Sequence, residues 1–465
     1  MCRAPVTYGR SHGARDSRRP GTRVPCGIRI ALREQRRYVD GPQRMRRRSL
    51  PRPDDAERDR HDERGDGQQC DGESEGREVE CCHIGHGDPA EGRQHELHQL
   101  LECVHHVTDD TSARLRRSVE GMSDLRDALG IRHPILLGAF GGLSSVALTA
   151  AVSNAGGLGA YGLYGYDAAR ISETAHALRA ATDQPFALNI WLPMGDEVEP
   201  GPQHTVFAQA LEPFYEAVGV EVPHRPERYV PTLDEQLEAI WEAAPAALSV
   251  VFGVPSAEIV DEAHGRGIRV IGTATTVAEA VALEDGGVDV VVASGAEAAG
   301  HRVSFLRSAE ESLVGTFALV PQVADAVGIP VVAAGGIADR RGVAAARALG
   351  AAGVQVGTAF LATEESAAND SHRAAIGSTA ADESVLTRAM SGRLGRGVRN
   401  RAVRAIEASG TIAPFPMQNW LTGKFRAAAG EQNLGELQSL WLGQAAPLAR
   451  FGAADELFAE LVAGV

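Results

Sequence analysis

The sequence predicts an α/β fold, a (β/α)8 barrel of the TIM type, that spans residues 122–465. After Gly130, short apolar segments alternate with longer stretches rich in Ala, Leu and Glu. This pattern is typical of parallel strands that are each followed by a helix. Eight such units can be counted, which is the number that closes a barrel. The alternative, an open doubly wound sheet, requires a Gly-x-Gly-x-x-Gly turn after its first strand, and Gly138–Gly142 lacks this spacing.

The predicted elements follow one another in regular order along the chain. We predict strands at 134–138, 159–162, 185–191, 248–252, 269–273, 288–293, 330–334 and 353–356. We predict helices at about 144–154, 167–181, 233–243, 256–265, 277–285, 317–327 and 340–349, and a last one from Thr358.

An insertion separates the third strand from its helix. Residues 192–232 contain seven prolines and a short helical pattern near 207–218. Loops of this length are usually functional or disordered. Because the loops that follow barrel strands open on the face that carries active sites, we interpret the insertion as a lid over the site. The alternative is a decoration with no role in function.

The first 121 residues are predicted to form a low-complexity, disordered leader. Arg, Asp, Glu, Gly and Gln crowd this segment, and its apolar residues are too sparse to offset chain entropy by burial. Cys81, Cys82, His83 and His86 superficially resemble metal ligands, but the folded turns that zinc sites use are absent, so we predict no metal site. We expect the native protein to begin at Met122, which N-terminal sequencing would establish.

Charge and cysteine content exclude several classes of function. The formal net charge is -15, and residues 122–465 carry 23 Lys and Arg against 39 Asp and Glu. An acidic surface repels a phosphate backbone, so we predict no nucleic-acid partner. All six cysteines precede Met122, so the barrel has neither a disulfide nor a thiolate nucleophile, as is usual in a reducing cytoplasm. No stretch approaches the roughly 20 apolar residues of a membrane span, and we expect a cytoplasmic protein without membrane contact.

Two glycine-containing turns near the end of the barrel predict a phosphate site. Gly335 and Gly336 follow the seventh predicted strand, and Gly357 and Thr358 follow the eighth. Glycine has no Cβ, so backbone N–H groups can approach phosphate oxygens closely at such turns. Loops after the seventh and eighth strands are the usual phosphate position in this fold.

Several runs of residues resemble the nitronate monooxygenase family, once called 2-nitropropane dioxygenases. In order along the chain, these runs are 155–159, 188–190, 295–301, 334–337, 357–365, 391–393 with 399–400, and 439–444. The resemblance implies noncovalently bound FMN. It places the cofactor-binding residues at Ala139, Phe140, Asn189, Ser294, Ala299, Gly300, Gly335, Gly336, Gln355, Val356, Gly357 and Thr358.

His301 is the predicted catalytic base. It follows the sixth strand, on the catalytic face of a barrel, in a loop of small residues that lets substrate and cofactor come close. The resemblance implies that this histidine accepts the α-proton of a nitroalkane or binds the nitronate anion. The implied reaction oxidises a nitronate with O2 to a carbonyl compound and nitrite. The alternatives are a flavin-dependent enoyl-acyl-carrier-protein reductase and a flavin-binding barrel without turnover.

Three positions depart from the family pattern close to the predicted flavin. Ser294 stands where the family usually has glutamine, and Ala299 replaces a glycine. Phe140 lies in the first loop, where the family prefers methionine. These changes predict a pocket of altered substrate specificity.

Overall fold

The computed structural model describes residues 124–465, so the predictions for the leader and its Cys81–His86 segment lie outside the described residues. The described strands are β1 (Ile135–Leu137), β2 (Gly159–Gly162), β3 (Phe186–Trp191), β4 (Ala247–Val251), β5 (Arg269–Ala274), β6 (Val290–Ser294), β7 (Gly300–His301), β8 (Val331–Ala334), β9 (Gly353–Val356), β10 (Ser384–Thr387) and β11 (Gly395–Val398).

Eight of these strands form one parallel sheet in the order β1-β9-β8-β6-β5-β4-β3-β2. The two ends of the sheet meet at the residue before β2. Leu137 N donates to Leu158 O at 2.9 Å, and Leu158 N donates to Ile135 O at 3.0 Å. These bonds close the sheet, and the predicted barrel is confirmed.

The described helices are α1 (Leu125–Leu129), α2 (Val146–Ala155), α3 (Ala168–Ala181), α4 (His204–Ala210), α5 (Glu212–Val218), α6 (Leu233–Ala243), α7 (Ala257–Gly265), α8 (Val277–Asp285), α9 (Thr316–Ala326), α10 (Arg340–Ala348), α11 (Thr358–Leu361), α12 (Asp370–Ser378), α13 (Arg401–Ser409), α14 (Met417–Glu431) and α15 (Ala454–Val462). The seven predicted helices with both ends assigned agree with α2, α3 and α6 to α10 to within two residues at each end.

The last predicted helix begins where expected but is short. The helix α11 starts at Thr358 and ends at Leu361. Thr363 Oγ1 donates to Phe360 O at 2.9 Å, and Ser366 Oγ donates to Leu361 O at 2.8 Å. These side chains take the carbonyls that a longer helix would use, so the chain turns away.

Apolar strands fill the barrel interior. Val290, Val291 and Val292 of β6 are fully buried, as expected for a parallel strand covered on both faces. Gly159 of β2 allows α2 to lie against the sheet, because a Cβ at this position would lie 2.1 Å from Thr149 O. The core therefore requires glycine at the start of β2.

A second apolar cluster joins the 192–232 insertion to the C-terminal helices. Phe214 of α5 stacks on Phe425 of α14 with ring centroids 5.3 Å apart. Tyr215 is almost fully buried and donates its hydroxyl to Leu421 O at 2.5 Å. The insertion is therefore a packed support for α14, which was not foreseen from the sequence.

A small antiparallel sheet, also unforeseen, connects the loop after β6 to the C-terminal segment. The order of this sheet is β10-β11-β7. Gly395 lies opposite His301, and Arg396 lies opposite Gly300. This pairing positions the predicted catalytic histidine.

Residues 124–465 contain neither a membrane-spanning helix nor a cluster of metal ligands. No helix in this range is long and apolar enough to cross a membrane. The same residues contain no group of three or more His, Cys, Asp or Glu side chains arranged to hold a metal ion.

We predict that Glu279→Ala destabilises the barrel near the active site. The Glu279 carboxylate is fully buried and accepts from Thr275 N at 2.7 Å and from Phe305 N at 2.7 Å. Loss of the carboxylate leaves buried N–H groups unpaired, at a cost of about 2 to 4 kcal/mol in the free energy of unfolding. Urea unfolding followed by circular dichroism measures this change.

The matched control is Glu262→Ala on the surface of α7. Glu262 is 48% exposed and pairs with Arg266, the residue that follows α7, so its loss should change stability by less than about 0.5 kcal/mol. Equal stability changes in the two variants would contradict the structural role assigned to Glu279.

Candidate active site

A cavity of about 780 Å³ lies at the carboxyl ends of the barrel strands, the position of active sites in this fold. It brings together nearly all residues predicted from the sequence: Ala139, Phe140, Asn189, Ser294, Ala299, Gly300, His301, Gly335, Gly336, Gln355, Gly357 and Thr358 all line it. Val356 is the exception, because its side chain is buried in the hydrophobic core. Its predicted contact with the cofactor therefore stays a prediction that involves the backbone and not the side chain.

The turns after β8 and β9 form a concave group of backbone N–H groups, which we call the glycine cradle (Gly335, Gly336, Gly357 and Thr358). Gly335 and Gly336 have φ angles of 100° and 76°, which favour glycine. Within the described chain, the N–H groups of Gly336, Gly357 and Thr358 have no protein acceptor. The cradle therefore offers several donors to an anion.

Polar side chains from five strands of the barrel line the cavity. These residues are Asn189, Ser249, Thr273, Ser294 and Gln355. The Asn189 amide nitrogen donates to Ser249 O at 3.2 Å and to Ser249 Oγ at 3.1 Å. This leaves the amide oxygen without a donor among the described residues, so it is available to a ligand.

Phe140, one of the three departures from the family pattern, lies in a rigid loop. Its backbone N–H donates to Ser144 Oγ at 3.2 Å, and Ser144 Oγ donates back to Phe140 O at 3.0 Å. The Phe140 ring packs partly against the barrel core. The Phe140 ring therefore lies at the cavity, beside the glycine cradle.

His301 is held by a serine that lies ninety residues further along the chain. Its Nε2 lies 2.8 Å from Ser391 Oγ. Ser391 Oγ also donates to Arg393 O at 3.0 Å. Because a hydroxyl has one proton, this network favours a proton on His301 Nε2 and leaves the lone pair on Nδ1.

The surroundings of His301 keep its imidazole neutral. Burial, together with the charges of Arg393 and Arg426, lowers the pKa of His301 to about 3. Trp191 packs edge-on at 4.9 Å, and Trp441 lies at 5.4 Å between ring centroids. At neutral pH, His301 is therefore a proton acceptor rather than a cation.

An aromatic wall extends from Trp191 away from His301. Tyr164 and Phe252 lie 4.2 and 4.8 Å from Trp191 between ring centroids. Phe252 has a φ of 72°, a strained conformation for a bulky residue. Such strain is often found at functional sites.

Arg393 connects this wall to the insertion. Its guanidinium stacks on Phe415 at 3.9 Å and on Phe252 at 4.7 Å. It forms ion pairs with Asp196 and with Glu197, the latter at 2.7 Å. The first residues of the insertion are thus anchored beside the turn that holds His301.

No role was predicted from the sequence for Trp191, Ser391, Arg393, Arg426 or Trp441. The position of Trp191 at the end of the third strand was a usable signal, because such residues face the site in a barrel. The runs 391–393 and 439–444 were recognised as family-like, but nothing local indicates that they approach His301.

Known proteins resemble this chain over the whole barrel. A family model described as nitronate monooxygenase matches residues 122–464. A probable nitronate monooxygenase of Staphylococcus haemolyticus is 37% identical over 348 residues, which cover 73% of this chain and 96% of that protein.

Solved structures also resemble this chain over the whole barrel. A nitroalkane oxidase from Streptomyces ansochromogenes superposes with a TM-score of 0.65 at 34% identity, covering 73% of this chain and 97% of that one. FabK from Thermotoga maritima superposes with a TM-score of 0.57 at 29% identity, covering 73% and 94%. With matches of this length and identity, the chain belongs to the nitronate monooxygenase family and is a flavin oxidoreductase.

Proposed function

We propose that the protein binds FMN and uses O2 to oxidise alkyl nitronates, and nitroalkanes, to carbonyl compounds and nitrite. The observation that carries this proposal is a neutral His301 imidazole in the same cavity as the glycine cradle. The first feature suits removal of a proton from carbon, and the second suits the phosphate of a flavin nucleotide.

The residues present fit FMN. The N–H groups of Gly336, Gly357 and Thr358 would hold the phosphate, and Asn189, Ser294 and Gln355 would contact the ring. Bound FMN supplies the electron transfer that links nitronate oxidation to oxygen. The cavity of about 780 Å³ has the size of known small-molecule and cofactor sites.

His301 would accept the α-proton of a nitroalkane on Nδ1. The charges of Arg393 and Arg426 lower the basicity of the imidazole, but they also stabilise the nitronate anion that the same step creates. The imidazolium and the nitronate then form an ion pair, so proton transfer adds no net charge to the cavity. A nitronate supplied as the anion needs no such step.

We predict that Gly357→Ala weakens FMN binding without harming the fold. A Cβ at this position would make only an ordinary van der Waals contact, with Phe140 Cε1 at 3.6 Å. A methyl group in the cradle keeps the phosphate away from the N–H groups, and the Kd for FMN should rise roughly tenfold or more. Titration of flavin-free protein, followed by FMN fluorescence, measures this constant.

Gly265→Ala at the end of α7 is the control for a glycine replacement. Its added Cβ meets no atom within 4 Å, and the residue lies outside the cavity. FMN affinity should stay unchanged in this variant, and both variants should keep the melting temperature of flavin-free wild type. An unchanged Kd for Gly357→Ala would remove the cradle from the phosphate site.

We predict that His301→Asn loses activity on nitroalkanes far more than on nitronates. Loss of a general base costs about 10² to 10⁴ in rate, and only the neutral nitroalkane needs the base. Nitrite release from 2-nitropropane and from its nitronate, at matched FMN content, measures both activities. The wild-type kcat/KM for the nitroalkane should also stay level between about pH 8 and about pH 5, because a lowered pKa keeps the base unprotonated there.

The control for this variant is His176→Asn on the exposed face of α3, which should match wild type on both substrates. Equal losses on the two substrates would rule out the base assignment. A fall in wild-type kcat/KM centred near pH 6.5 would contradict the lowered pKa.

The activity itself is tested with wild-type protein carrying full FMN. Nitrite release from a nitronate under air supports the proposal, and its absence overturns it. Rapid flavin bleaching by NADPH without oxygen would instead favour the enoyl reductase alternative. No reaction in either assay would favour the flavin-binding barrel without turnover.

A further inference from the structure

Arg393 is a buried cation whose two carboxylate partners both come from the start of the insertion. Its side chain is 8% exposed, and it pairs with Asp196 and, at 2.7 Å, with Glu197. The Glu197 side chain is 22% exposed, whereas that of Asp196 is 60% exposed. Water screens an exposed ion pair, so the less exposed carboxylate interacts more strongly with the buried charge. Glu197 is therefore the main counterion of Arg393.

The Glu197 carboxylate is held in place by its own turn. Its Oε1 accepts from Met194 N at 3.0 Å, and its Oε2 accepts from Gly195 N at 2.9 Å. Although burial raises the pKa of Glu197, the hydrogen bond from Met194 N and the pairing with Arg393 bring it below its usual value. The carboxylate is therefore ionised at neutral pH and meets Arg393 in a fixed geometry.

The Arg393 guanidinium is also part of the aromatic wall around the imidazole. It stacks on Phe415 at 3.9 Å and on Phe252 at 4.7 Å. Trp191 packs on both rings, with centroids 5.8 Å from Phe415 and 4.8 Å from Phe252. The His301 ring lies 4.9 Å from Trp191. A displaced guanidinium would therefore loosen the packing behind His301.

The turn that carries Ser391 packs directly on the segment that carries Phe415. Gly392 has a φ of 83°, and a Cβ at this position would lie 2.7 Å from Ala413 O and 2.7 Å from Phe415 N. Two backbone segments in such close contact shift together. The position of the turn therefore depends on the same ion pair and ring stack.

The backbone of Arg393 determines how Ser391 meets His301. Arg393 O accepts the Ser391 hydroxyl proton at 3.0 Å, and Ser391 Oγ lies 2.8 Å from His301 Nε2. Because this bond uses the hydroxyl proton, Ser391 accepts from the imidazole, and the imidazole proton stays on Nε2. If Arg393 O moved away, the hydroxyl could donate to Nε2, and the imidazole proton would transfer to Nδ1. The lone pair on Nδ1 would then be lost.

We propose that Glu197 and Arg393 are positioning residues for proton transfer: their ion pair holds the Ser391 turn, which keeps the His301 proton on Nε2 and its lone pair on Nδ1. Neither Glu197 nor Arg393 lines the cavity, so both act through His301 rather than on the substrate. A group that fixes the tautomer of a catalytic histidine supports the proton transfer which that histidine performs. This inference rests on the proposed function, in which His301 accepts the α-proton of a nitroalkane.

The first test reads the tautomer of His301 without turnover. Nitrogen NMR of protein with isotope-labelled histidine shows which ring nitrogen carries the proton, and the His301 signals are those absent from His301→Asn. Wild type at neutral pH should carry the proton on Nε2. Glu197→Gln and Arg393→Gln should each show a mixture of the two tautomers. A wild-type tautomer in both variants, or a wild type with the proton on Nδ1, would overturn the proposal.

The second test compares nitrite release from 2-nitropropane and from its nitronate at equal FMN content. Glu197→Gln should lower kcat/KM about 10- to 100-fold for the nitroalkane and less than about threefold for the nitronate, which needs no base. Because the two residues act as a unit, Glu197→Gln should add less than about a twofold loss when Arg393 is already glutamine. Equal losses on both substrates, or a full further loss in the double variant, would contradict the positioning role.

The matched controls break an ion pair of the same type away from the cavity. Arg228 of the insertion lies 2.9 Å from Glu235 of α6, and neither residue lines the cavity. Arg228→Gln and Glu235→Gln should keep the wild-type tautomer and both activities, and all variants are compared by melting temperature. If wild type releases no nitrite, the proposed function fails, and the NMR measurement still decides whether the Glu197–Arg393 pair fixes the tautomer of His301.

Discussion

The pairing of β7 with β11 is the constraint on which the site depends. It ties the loop after β6 to a segment that lies over ninety residues further along the chain, and it places His301 opposite Gly395. A Cβ at Gly395 would lie 3.1 Å from the Trp441 ring, and one at Gly397 would lie 2.7 Å from Leu440 O. The two glycines let the Trp441 segment lie against this sheet, so the imidazole has a closed aromatic environment.

The electrostatics of the cavity follow from the same arrangement. The turn after β10 that provides Ser391 for His301 also carries Arg393, and Arg426 enters from α14. A protonated imidazole is unfavourable among these charges, whereas an anionic ligand is favourable. The site therefore combines a neutral base with a positive environment, which suits chemistry that converts a neutral carbon acid into an anion.

The barrel was predictable because each βα unit is encoded locally, in the alternation of apolar and helical segments. The cavity residues at strand ends were predictable for the same reason, and the one predicted residue whose side chain does not line the cavity has a simple explanation. Side chains alternate along a strand, so with Gln355 lining the cavity, Val356 must point to the opposite side. The roles of Ser391 and Arg426 depend instead on contacts between distant segments, which no local pattern records.

The insertion at 192–232 packs on the elements that carry the charged groups of the site. It follows β3 on the catalytic face, yet it contributes no residue to the cavity lining, which comes instead from α14 and the 438–445 segment. Its helices pack on α14 through Phe214 and Tyr215, and its first residues pair with Arg393. The helix α14 carries Arg426, and Arg393 lies in the turn that holds His301. The insertion therefore contacts the elements that carry both charged groups. These contacts give the insertion a supporting role in addition to the lid function that the sequence predicts.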